Sequence, residues 1–421
     1  MNKSNYITLF IKCQLAQNKN KWYTNKKIFT GESMQKLSKR LNHFQTGIFA
    51  SLTHKRNELI KQNKKVYNLY VGTPDFKINQ DIRLAVSEAA QDPENFKYSL
   101  IDSVEMLQAV KEYYKTRYSV DIQTDEICSV NGSQDGIGHL GLALLDEGDK
   151  ALLPDPGYPV FEAGVRLAGG EPVYYPLLKE NGFLPDLSKI DEETLKQVKY
   201  MIVSYPSNPC GAVANKEMYV DLIEKAKKYG FYIINDNAYS DIIFDGLEGF
   251  SFLSIPGARE VGVEFFSLSK SFNTTGARIS FCIGNKTVVD ALRVIRSQYD
   301  FGMFMPIQKA AIQALKTPRE EILNQCNEYQ KRRDTLCGGL RRIGWNVPDS
   351  KGTMFVWAPI PKKFTSSMEF WNALVDKTGV ICTPGTAFGP MGEGYVRFAL
   401  VLPPEQLEEI VNVIDKSGIL K

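Results

Sequence analysis

Polar and charged side chains that could do chemistry fall in six short motifs, each at or just after the end of an apolar run. The motifs are Asp155-Pro-Gly-Tyr158-Pro, Ser207-Asn208-Pro-Cys-Gly211, Asp236-Asn-Ala-Tyr239, Ser267-Leu-Ser-Lys270-Ser, Gly276-Ala-Arg278 and Gly394-Tyr-Val-Arg397. The carboxyl ends of parallel strands in an open α/β sheet line one crevice, where such sheets bind their ligands. The sequence therefore predicts that these motifs meet in a single ligand-binding site.

Three charged residues in these motifs each suit a particular chemistry. Lys270 lies between a strand and a turn of small residues, where its amine can act as a nucleophile or base, although a surface lysine would also fit. Asp236 ends an apolar strand, and a buried carboxylate is costly unless it is paired or hydrogen-bonded inside the protein. Arg397 lies on a predicted strand, where its guanidinium favours a carboxylate, either that of a ligand or that of an internal acid.

Two glycine-containing segments differ in what they predict. The turn Asn131-Gly132-Ser133-Gln134 joins a strand to a helix, so its backbone N–H groups indicate an anion site at the helix N-terminus. Gly136–Gly141 matches the pattern GxGxxG, and Asp155 follows its first glycine by 19 residues. A dinucleotide site needs that first glycine in the turn. Here the glycines fall on the helix body, which favours close packing of the helix.

Together these motifs resemble the pyridoxal-phosphate-dependent aminotransferases of fold type I, class I/II, over about residues 40–421. The resemblance implies pyridoxal phosphate as the cofactor, and an amino acid and a 2-oxo acid as the substrates. It implies that Lys270 links covalently to the cofactor aldehyde and then moves the substrate proton. Asp236 is implied to face the pyridine nitrogen, and Tyr239 completes the implied catalytic set.

The same resemblance distributes the remaining site residues over the cofactor and the substrate. Tyr239 and Asn208 are implied to bond the 3′ oxygen of the cofactor, and Tyr158 to stack on its ring. The implied phosphate site consists of Gly132, Ser133, Gln134, Ser267, Ser269 and Arg278. The implied substrate site consists of Gly72, Asn208 and Arg397, with Arg397 gripping the α-carboxylate. Tyr98 is implied to reach the phosphate from the neighbouring subunit, so we expect a homodimer with shared active sites.

Three further runs, Phe161-Glu-Ala-Gly, Asn181-Gly-Phe-Leu-Pro-Asp and Phe388-Gly-Pro-Met-Gly-Glu-Gly, are similar to those of the family members that act on LL-diaminopimelate. The chain departs from that type at Gly47 and Phe301, where tyrosine and asparagine help to hold the distal end of the substrate. It also has Cys210 where the family usually has threonine, and Ser103 where a glycine is usual. Donors such as alanine, methionine or aromatic amino acids therefore stay open.

Two other functions fit the same motifs. A C–S β-lyase would use these residues for elimination instead of amino-group transfer. A cofactor-binding regulator without catalysis would need an appended DNA-binding domain, and the first 33 residues are too few for a helix-turn-helix. Aminotransfer is the leading interpretation.

The elements that must position these motifs alternate between strands and helices, which predicts an α/β fold with a mostly parallel seven-stranded sheet. The predicted strands are Glu126–Val130, Lys150–Pro154, Pro172–Pro176, Tyr200–Ser204, Phe231–Asn235, Val263–Ser267 and Arg278–Ile283. Helical patterns at Ser38–Asn63 and Ile307–Leu340 flank this region. We expect a large domain over residues 80–305 and a small α/β domain built from residues 34–79 and 306–421.

Composition excludes several classes of protein. The formal net charge is +3, and residues 1–33 alone contain six lysines and one acid, so the body lacks the basic surface of a nucleic-acid-binding protein. This lysine-rich segment is expected to be a disordered or non-native extension. Seven cysteines without a CxxC pair favour neither disulfides nor a metal site, and no apolar run is long enough for a membrane span. A cytoplasmic location is the simplest expectation.

Overall fold

The computed structural model describes residues 37–44 and 48–421. The predicted extension over residues 1–33 and the specificity position Gly47 lie outside the described residues. Within the part of the chain that is described, no helix is long and apolar enough to cross a bilayer.

Twelve strands form three sheets within the described residues. In chain order they are β1 Tyr67–Asn68, β2 Ile127–Val130, β3 Lys150–Asp155, β4 Glu171–Pro176, β5 Val198–Ser204, β6 Tyr232–Asn237, β7 Gly262–Ser267, β8 Ser280–Gly284, β9 Phe355–Pro359, β10 Val380–Ile381, β11 Thr383–Pro384 and β12 Tyr395–Ala399.

The helices lie between and around these strands. In chain order they are α1 Ile48–Lys61, α2 Gln80–Ala89, α3 Val104–Tyr118, α4 Ser133–Leu144, α5 Val160–Ala168, α6 Glu192–Gln197, α7 Lys216–Tyr229, α8 Ala258–Val261, α9 Leu268–Ser271, α10 Lys286–Tyr299, α11 Met305–Leu315, α12 Arg319–Arg342, α13 Ser367–Thr378 and α14 Pro404–Lys416.

The large sheet has seven strands in the order β2-β8-β7-β6-β5-β3-β4. Strand β8 runs antiparallel to both of its neighbours, and the other pairs are parallel. Its central strands are buried along almost their whole length because helices cover both faces, which is why they read as continuous apolar runs. This confirms the predicted α/β fold with a mostly parallel seven-stranded sheet.

Two smaller sheets bring the two ends of the chain together. Strand β1 pairs in parallel with β10, with Tyr67 opposite Val380. Strands β11, β12 and β9 form an antiparallel sheet. Buried residues before and after the large sheet, such as Leu69 and Phe398, belong to one apolar cluster. The predicted limits at residues 79/80 and 305/306 stay predictions.

The structure corrects three predicted element boundaries. The helical pattern Ile307–Leu340 is two helices, α11 and α12, because Pro318 cannot continue the first of them. The pattern Ser38–Asn63 contains a 3-10 turn at Lys39–His43 that ends at the extended residue Phe44, and α1 starts only at Ile48. Strand β8 starts at Ser280 and not at Arg278, because Arg278 has the left-handed φ of 56°.

The glycines of the GxGxxG pattern lie on the body of α4, as predicted, and allow close packing. A Cβ on Gly141 would come within 2.5 Å of the carbonyl oxygen of Gly164 in α5. A Cβ on Gly136 would come within 2.5 Å of the Phe265 ring in β7. The pattern therefore serves helix packing, and the anion turn precedes it.

We predict opposite effects for two alanine substitutions in α4. Gly141→Ala should destabilise the protein by about 1–3 kcal/mol, since backbone must move to admit the methyl group. Gly138→Ala is the matched control, because a Cβ there meets nothing within 4 Å, and it should stabilise the helix by up to about 1 kcal/mol. Urea unfolding of both variants checks the pair, and equal effects would contradict the packing role of Gly141.

Candidate functional site

Predicted site residues from distant parts of the chain line one cavity of about 360 Å3 at the carboxyl ends of β5, β6 and β7. Those in its wall are Gly72, Ser133, Gln134, Tyr158, Asn208, Asp236, Tyr239, Ser267, Ser269, Lys270, Arg278 and Arg397. The arrangement follows from the parallel strands, because each strand delivers its last residue and the next loop to the same edge of the sheet.

Lys270 lies on α9, a single turn that directly follows β7. Its Nζ donates a hydrogen bond to the carbonyl oxygen of Gly72 at 2.6 Å. Burial, followed by the positive charges of Arg397 and Arg278, lowers the pKa of Lys270 to about 8. A lysine with this pKa is partly neutral near physiological pH, so its amine can attack a carbonyl or accept a proton.

Asp236 lies near the end of β6 in the middle of the sheet and is buried. Its Oδ1 has no hydrogen-bond partner within residues 37–44 and 48–421. Burial raises the pKa of this carboxyl to about 7. A buried polar atom without a partner is unusual in a folded protein, and at a cavity wall it fits a ligand that brings a proton or a positive charge.

Arg397 lies on β12 with only 2% of its surface exposed. Its Nη1 donates to Asn208 Oδ1 at 2.7 Å, and its Nη2 donates to the carbonyl oxygen of Tyr70 at 3.0 Å. The guanidinium stacks 3.9 Å from the centre of the Phe355 ring, and burial lowers its pKa to about 10. Its position in the cavity wall is held from several sides, which suits the recognition of a carboxylate.

The predicted anion turn adjoins Arg278. Gly132 has a φ of 89°, and a Cβ there would come within 2.2 Å of Arg278 Nη2. The positive φ therefore favours glycine at this turn, and the missing side chain leaves room for the guanidinium of Arg278. Ser267 Oγ accepts from the backbone N–H of Ser269 at 3.2 Å, and Ser133 Oγ donates to Ser280 Oγ at 3.1 Å. Hydroxyls, a guanidinium and the start of α4 together fit a phosphate group.

Two tyrosines complete the walls of the cavity. The Tyr158 hydroxyl donates to Gln134 Oε1 at 3.1 Å, which ties the loop after β3 to the start of α4. Tyr239 is buried with its ring edge against Phe355 at 5.8 Å, and burial raises the pKa of its hydroxyl. This hydroxyl therefore stays protonated at neutral pH and is a hydrogen-bond donor.

Two predicted site residues are not in the cavity wall, namely Gly132, which adjoins Arg278, and Tyr98. Tyr98 is 85% exposed and packs edge-on against Phe301, with ring centres 5.9 Å apart. Sequence reasoning also missed some of the wall. The residues missed are Thr53, Tyr70, Val71, Thr73, Ile137, Val160, Ser204, Ala238, Thr275 and Phe355. Five of these ten residues have apolar side chains that give no chemical signal, and Tyr70 contributes a carbonyl oxygen that no residue type can signal.

Comparisons with known proteins agree with one another. A family model described as aminotransferase class I and II matches residues 64–414. The LL-diaminopimelate aminotransferase of Dehalococcoides mccartyi is 42% identical over 376 residues, which cover 89% of this chain and 97% of that protein. The LL-diaminopimelate aminotransferase of Aquifex aeolicus is 40% identical over 383 residues, which cover 90% of this chain and 99% of that protein.

Solved structures give the same picture. Substrate-bound BacF from Bacillus subtilis has a TM-score of 0.88 at 33% identity and covers 91% of this chain and 98% of its own. A probable N-succinyldiaminopimelate aminotransferase from Thermus thermophilus has a TM-score of 0.84 at 31% identity and covers 88% and 100%.

The unpartnered carboxyl of Asp236 predicts a pH-dependent stability for the ligand-free protein. An unfolded aspartate ionises near pH 4, whereas folded Asp236 keeps its proton until about pH 7. Its contribution to the free energy of unfolding therefore falls as the pH rises through that window, by a few kcal/mol. The variant Asp236→Asn cannot ionise, so its stability relative to the wild type should increase with pH.

Urea unfolding between about pH 4.5 and pH 8 checks this difference, because that interval covers most of the window of about 4 to 7. Asp186→Asn is the control, because a hydrogen bond from Ser188 lowers the pKa of that carboxyl and its variant should show no such increase. A constant difference between Asp236→Asn and the wild type would contradict the assignment.

Proposed function

Because the chain belongs to the class I and II aminotransferase family, we propose a cofactor, a substrate and a site for its reaction. The chain is an enzyme that moves an amino group from an amino acid to a 2-oxo acid. The proposed cofactor is pyridoxal phosphate, the proposed donor is LL-diaminopimelate and the proposed acceptor is 2-oxoglutarate. A cytoplasmic location is part of the proposal.

The observation that carries the cofactor proposal is that one cavity contains a lysine of lowered pKa, a carboxylate oxygen without a partner and an anion site. Lys270 would hold the aldehyde carbon, and Asp236 would hold the ring nitrogen. Arg278, the serines and the turn at Gly132 would hold the phosphate. The three chemical ends of pyridoxal phosphate thus each find a matching group, so the residues present fit this cofactor.

The protein's own residues account for the proton movements. When bound, pyridoxal phosphate supplies an electron-poor ring that accepts the electron pair left when the substrate Cα loses its proton. The Lys270 amine would take that proton from Cα and pass it to the carbon of the former cofactor aldehyde, and its lowered pKa would let it act as a base near neutral pH. The buried negative charge of Asp236 would stabilise a proton on the ring nitrogen of the cofactor.

Substrate binding is assigned to Arg397 and Asn208. The guanidinium lies in the cavity wall and is already oriented by Asn208 Oδ1 and by the Tyr70 carbonyl. It can therefore receive the α-carboxylate without first being ordered, which lowers the cost of binding. The α-carbon of the amino acid would then lie in the cavity whose wall also contains Lys270.

The proposed donor is supported by the two relatives named LL-diaminopimelate aminotransferase. Both match this chain over nearly their full length. The distal end of this donor carries a second amino acid group, which needs polar partners when it loses water. Phe301 offers an apolar ring beside Tyr98, and Gly47 lies outside the described residues. The donor is thus the part of the proposal that kinetics must decide.

A homodimer is proposed from an exposed apolar surface, here called the aromatic edge. It consists of Phe96, Tyr98, Leu100, Ile101, Val104, Tyr299, Phe301 and Phe304. Its two segments are adjacent, since Gly302 N donates to Ser99 O at 2.7 Å and the rings of Phe96 and Phe304 lie 5.4 Å apart. A second copy of the chain would cover this surface and bring Tyr98 to the partner's cavity.

We predict that borohydride reduction of the loaded enzyme fixes the cofactor on Lys270. Peptide mapping by mass spectrometry should place the added mass on the peptide that contains this residue. Lys270→Ala should lose at least about 1,000-fold in kcat, because the base and the covalent link are both removed. An adduct on any other lysine would reject the site.

Steady-state kinetics with 2-oxoglutarate should give a larger kcat/KM for LL-diaminopimelate than for alanine, methionine or phenylalanine. The reverse order would reject the donor and leave the aminotransferase intact. The measured product is glutamate, and release of pyruvate and ammonia from a β-substituted donor would instead indicate a C–S β-lyase.

Sedimentation should give twice the chain mass of 47.4 kDa for the wild type. Ile101→Lys should shift this equilibrium towards the monomer, because it places a charge on the aromatic edge. Val220→Lys is the control, since Val220 is an exposed apolar residue on α7 outside that surface. A monomeric wild type would contradict the dimer.

A further inference from the structure

Asp241 is a buried carboxylate that the reaction described above does not use. Its side chain has 0% exposure. Oδ2 accepts hydrogen bonds from Ser271 Oγ at 2.8 Å and from Ser240 Oγ at 3.2 Å. Oδ1 forms ion pairs with Arg319 and, at 3.5 Å, with Arg117 Nε. One carboxylate therefore joins the loop after β6 to α3, α9 and α12.

The connection to Ser271 reaches the reacting lysine. Ser271 is the next residue after Lys270 in α9, and α9 has only four residues. A single helical turn has too few internal hydrogen bonds to hold its own orientation, so outside contacts must fix it. The bond from Ser271 Oγ to Asp241 is such a contact, and it shares no atom with the bond that the Lys270 amine donates to Gly72.

Helix α12 holds the same turn by a second route. Gln325 Nε2 donates to the backbone carbonyl of Lys270 at 2.9 Å, and Gln325 Oε1 accepts from Asn273 Nδ2 at 2.7 Å. Arg319, the ion-pair partner of Asp241, is the first residue of that helix. The start of α12 is thus linked both to α9 directly and to Asp241, which in turn holds α9.

Asp241 also follows Tyr239 by two residues and Asp236 by five. The same carboxylate therefore connects the segment that carries Asp236 with the turn that carries Lys270. We propose that Asp241 is a positioning residue that, through Ser271, sets where the Lys270 amine lies relative to Asp236. This inference rests on the function proposed above for Lys270.

The decisive variant is Ser271→Ala, which removes the link to α9 and leaves the ion pairs of Asp241 in place. Misplacing a reacting group lowers turnover more than binding, so kcat should fall about tenfold. KM for the amino donor should change by less than about twofold, because Arg397 is untouched. The pH midpoint of the visible absorption band of the loaded enzyme should also shift, since that band reports how the Lys270 amine is held.

Ser251→Ala is the matched control. Ser251 is also a buried serine, and its Oγ donates to the buried carboxylate of Glu264 at 2.8 Å. This variant loses an equivalent hydrogen bond that does not touch α9. It should keep the wild-type kcat and the wild-type midpoint, whatever its thermal stability.

A double-variant comparison tests whether Ser271 acts through Asp241. In the background of Asp241→Asn, Ser271→Ala should lower kcat less than it does in the wild type, because the acceptor charge is already gone. An undiminished effect would overturn the proposal. If Asp241→Asn fails to fold, the comparison of kcat and pH midpoint between Ser271→Ala and Ser251→Ala still tests the proposal.

The outcomes separate this inference from the proposed function. A wild-type enzyme without transamination or without a visible band would reject the proposed function itself. A wild-type enzyme with both, together with a Ser271→Ala variant that matches Ser251→Ala in kcat and midpoint, would reject the positioning role of Asp241 alone.

Discussion

The arrangement of the site depends on the burial of charged groups around one cavity, above all Lys270, Asp236 and Arg397. Lys270, Arg278 and Arg397 share the cavity wall with a single carboxylate, Asp236, within the part of the chain that the structure describes. Burial and the two arginines lower the pKa of Lys270, and burial raises that of Asp236. Holding such groups without water is costly, and anionic ligands reduce that cost. The cavity wall is thus suited to an anionic ligand before any ligand binds.

The scaffold makes this arrangement possible through the ends of parallel strands. Each of β5, β6 and β7 is buried along almost its whole length and has a polar residue where the sheet ends. The short helix α9 then carries Lys270 into the cavity wall, and it is held from outside by hydrogen bonds to Asp241 and Gln325. Reactive groups on short loops keep their positions because the sheet and α12, both rigid elements, hold the loop ends.

The sequence predicted the large sheet and most of the cavity because both leave local signals. An apolar run followed by Asp236 or by the turn at Lys270 is readable one segment at a time. Contacts made by backbone atoms or by the faces of aromatic rings leave no such local pattern. The Tyr70 carbonyl and the Phe355 ring, which hold Arg397, were therefore missed. The helix break at Pro318 was missed because the apolar pattern continues across it. The left-handed φ of Arg278 was missed because arginine rarely adopts this conformation, so the residue type does not indicate it.

The contact between the two ends of the chain determines when the cavity wall is completed during synthesis. The carbonyl of Tyr70 that receives Arg397 comes from a residue 327 positions earlier in the chain. During synthesis the strands of the large sheet, which end at Gly284, leave the ribosome well before β9, β10 and β12 exist. The nascent chain can therefore form the sheet that presents Lys270 while Leu69 and Tyr70 still lack their partners. The wall of the cavity is therefore completed last, when β12 has been translated, and a chain that ends before β12 would lack the guanidinium that Tyr70 and Phe355 hold in place.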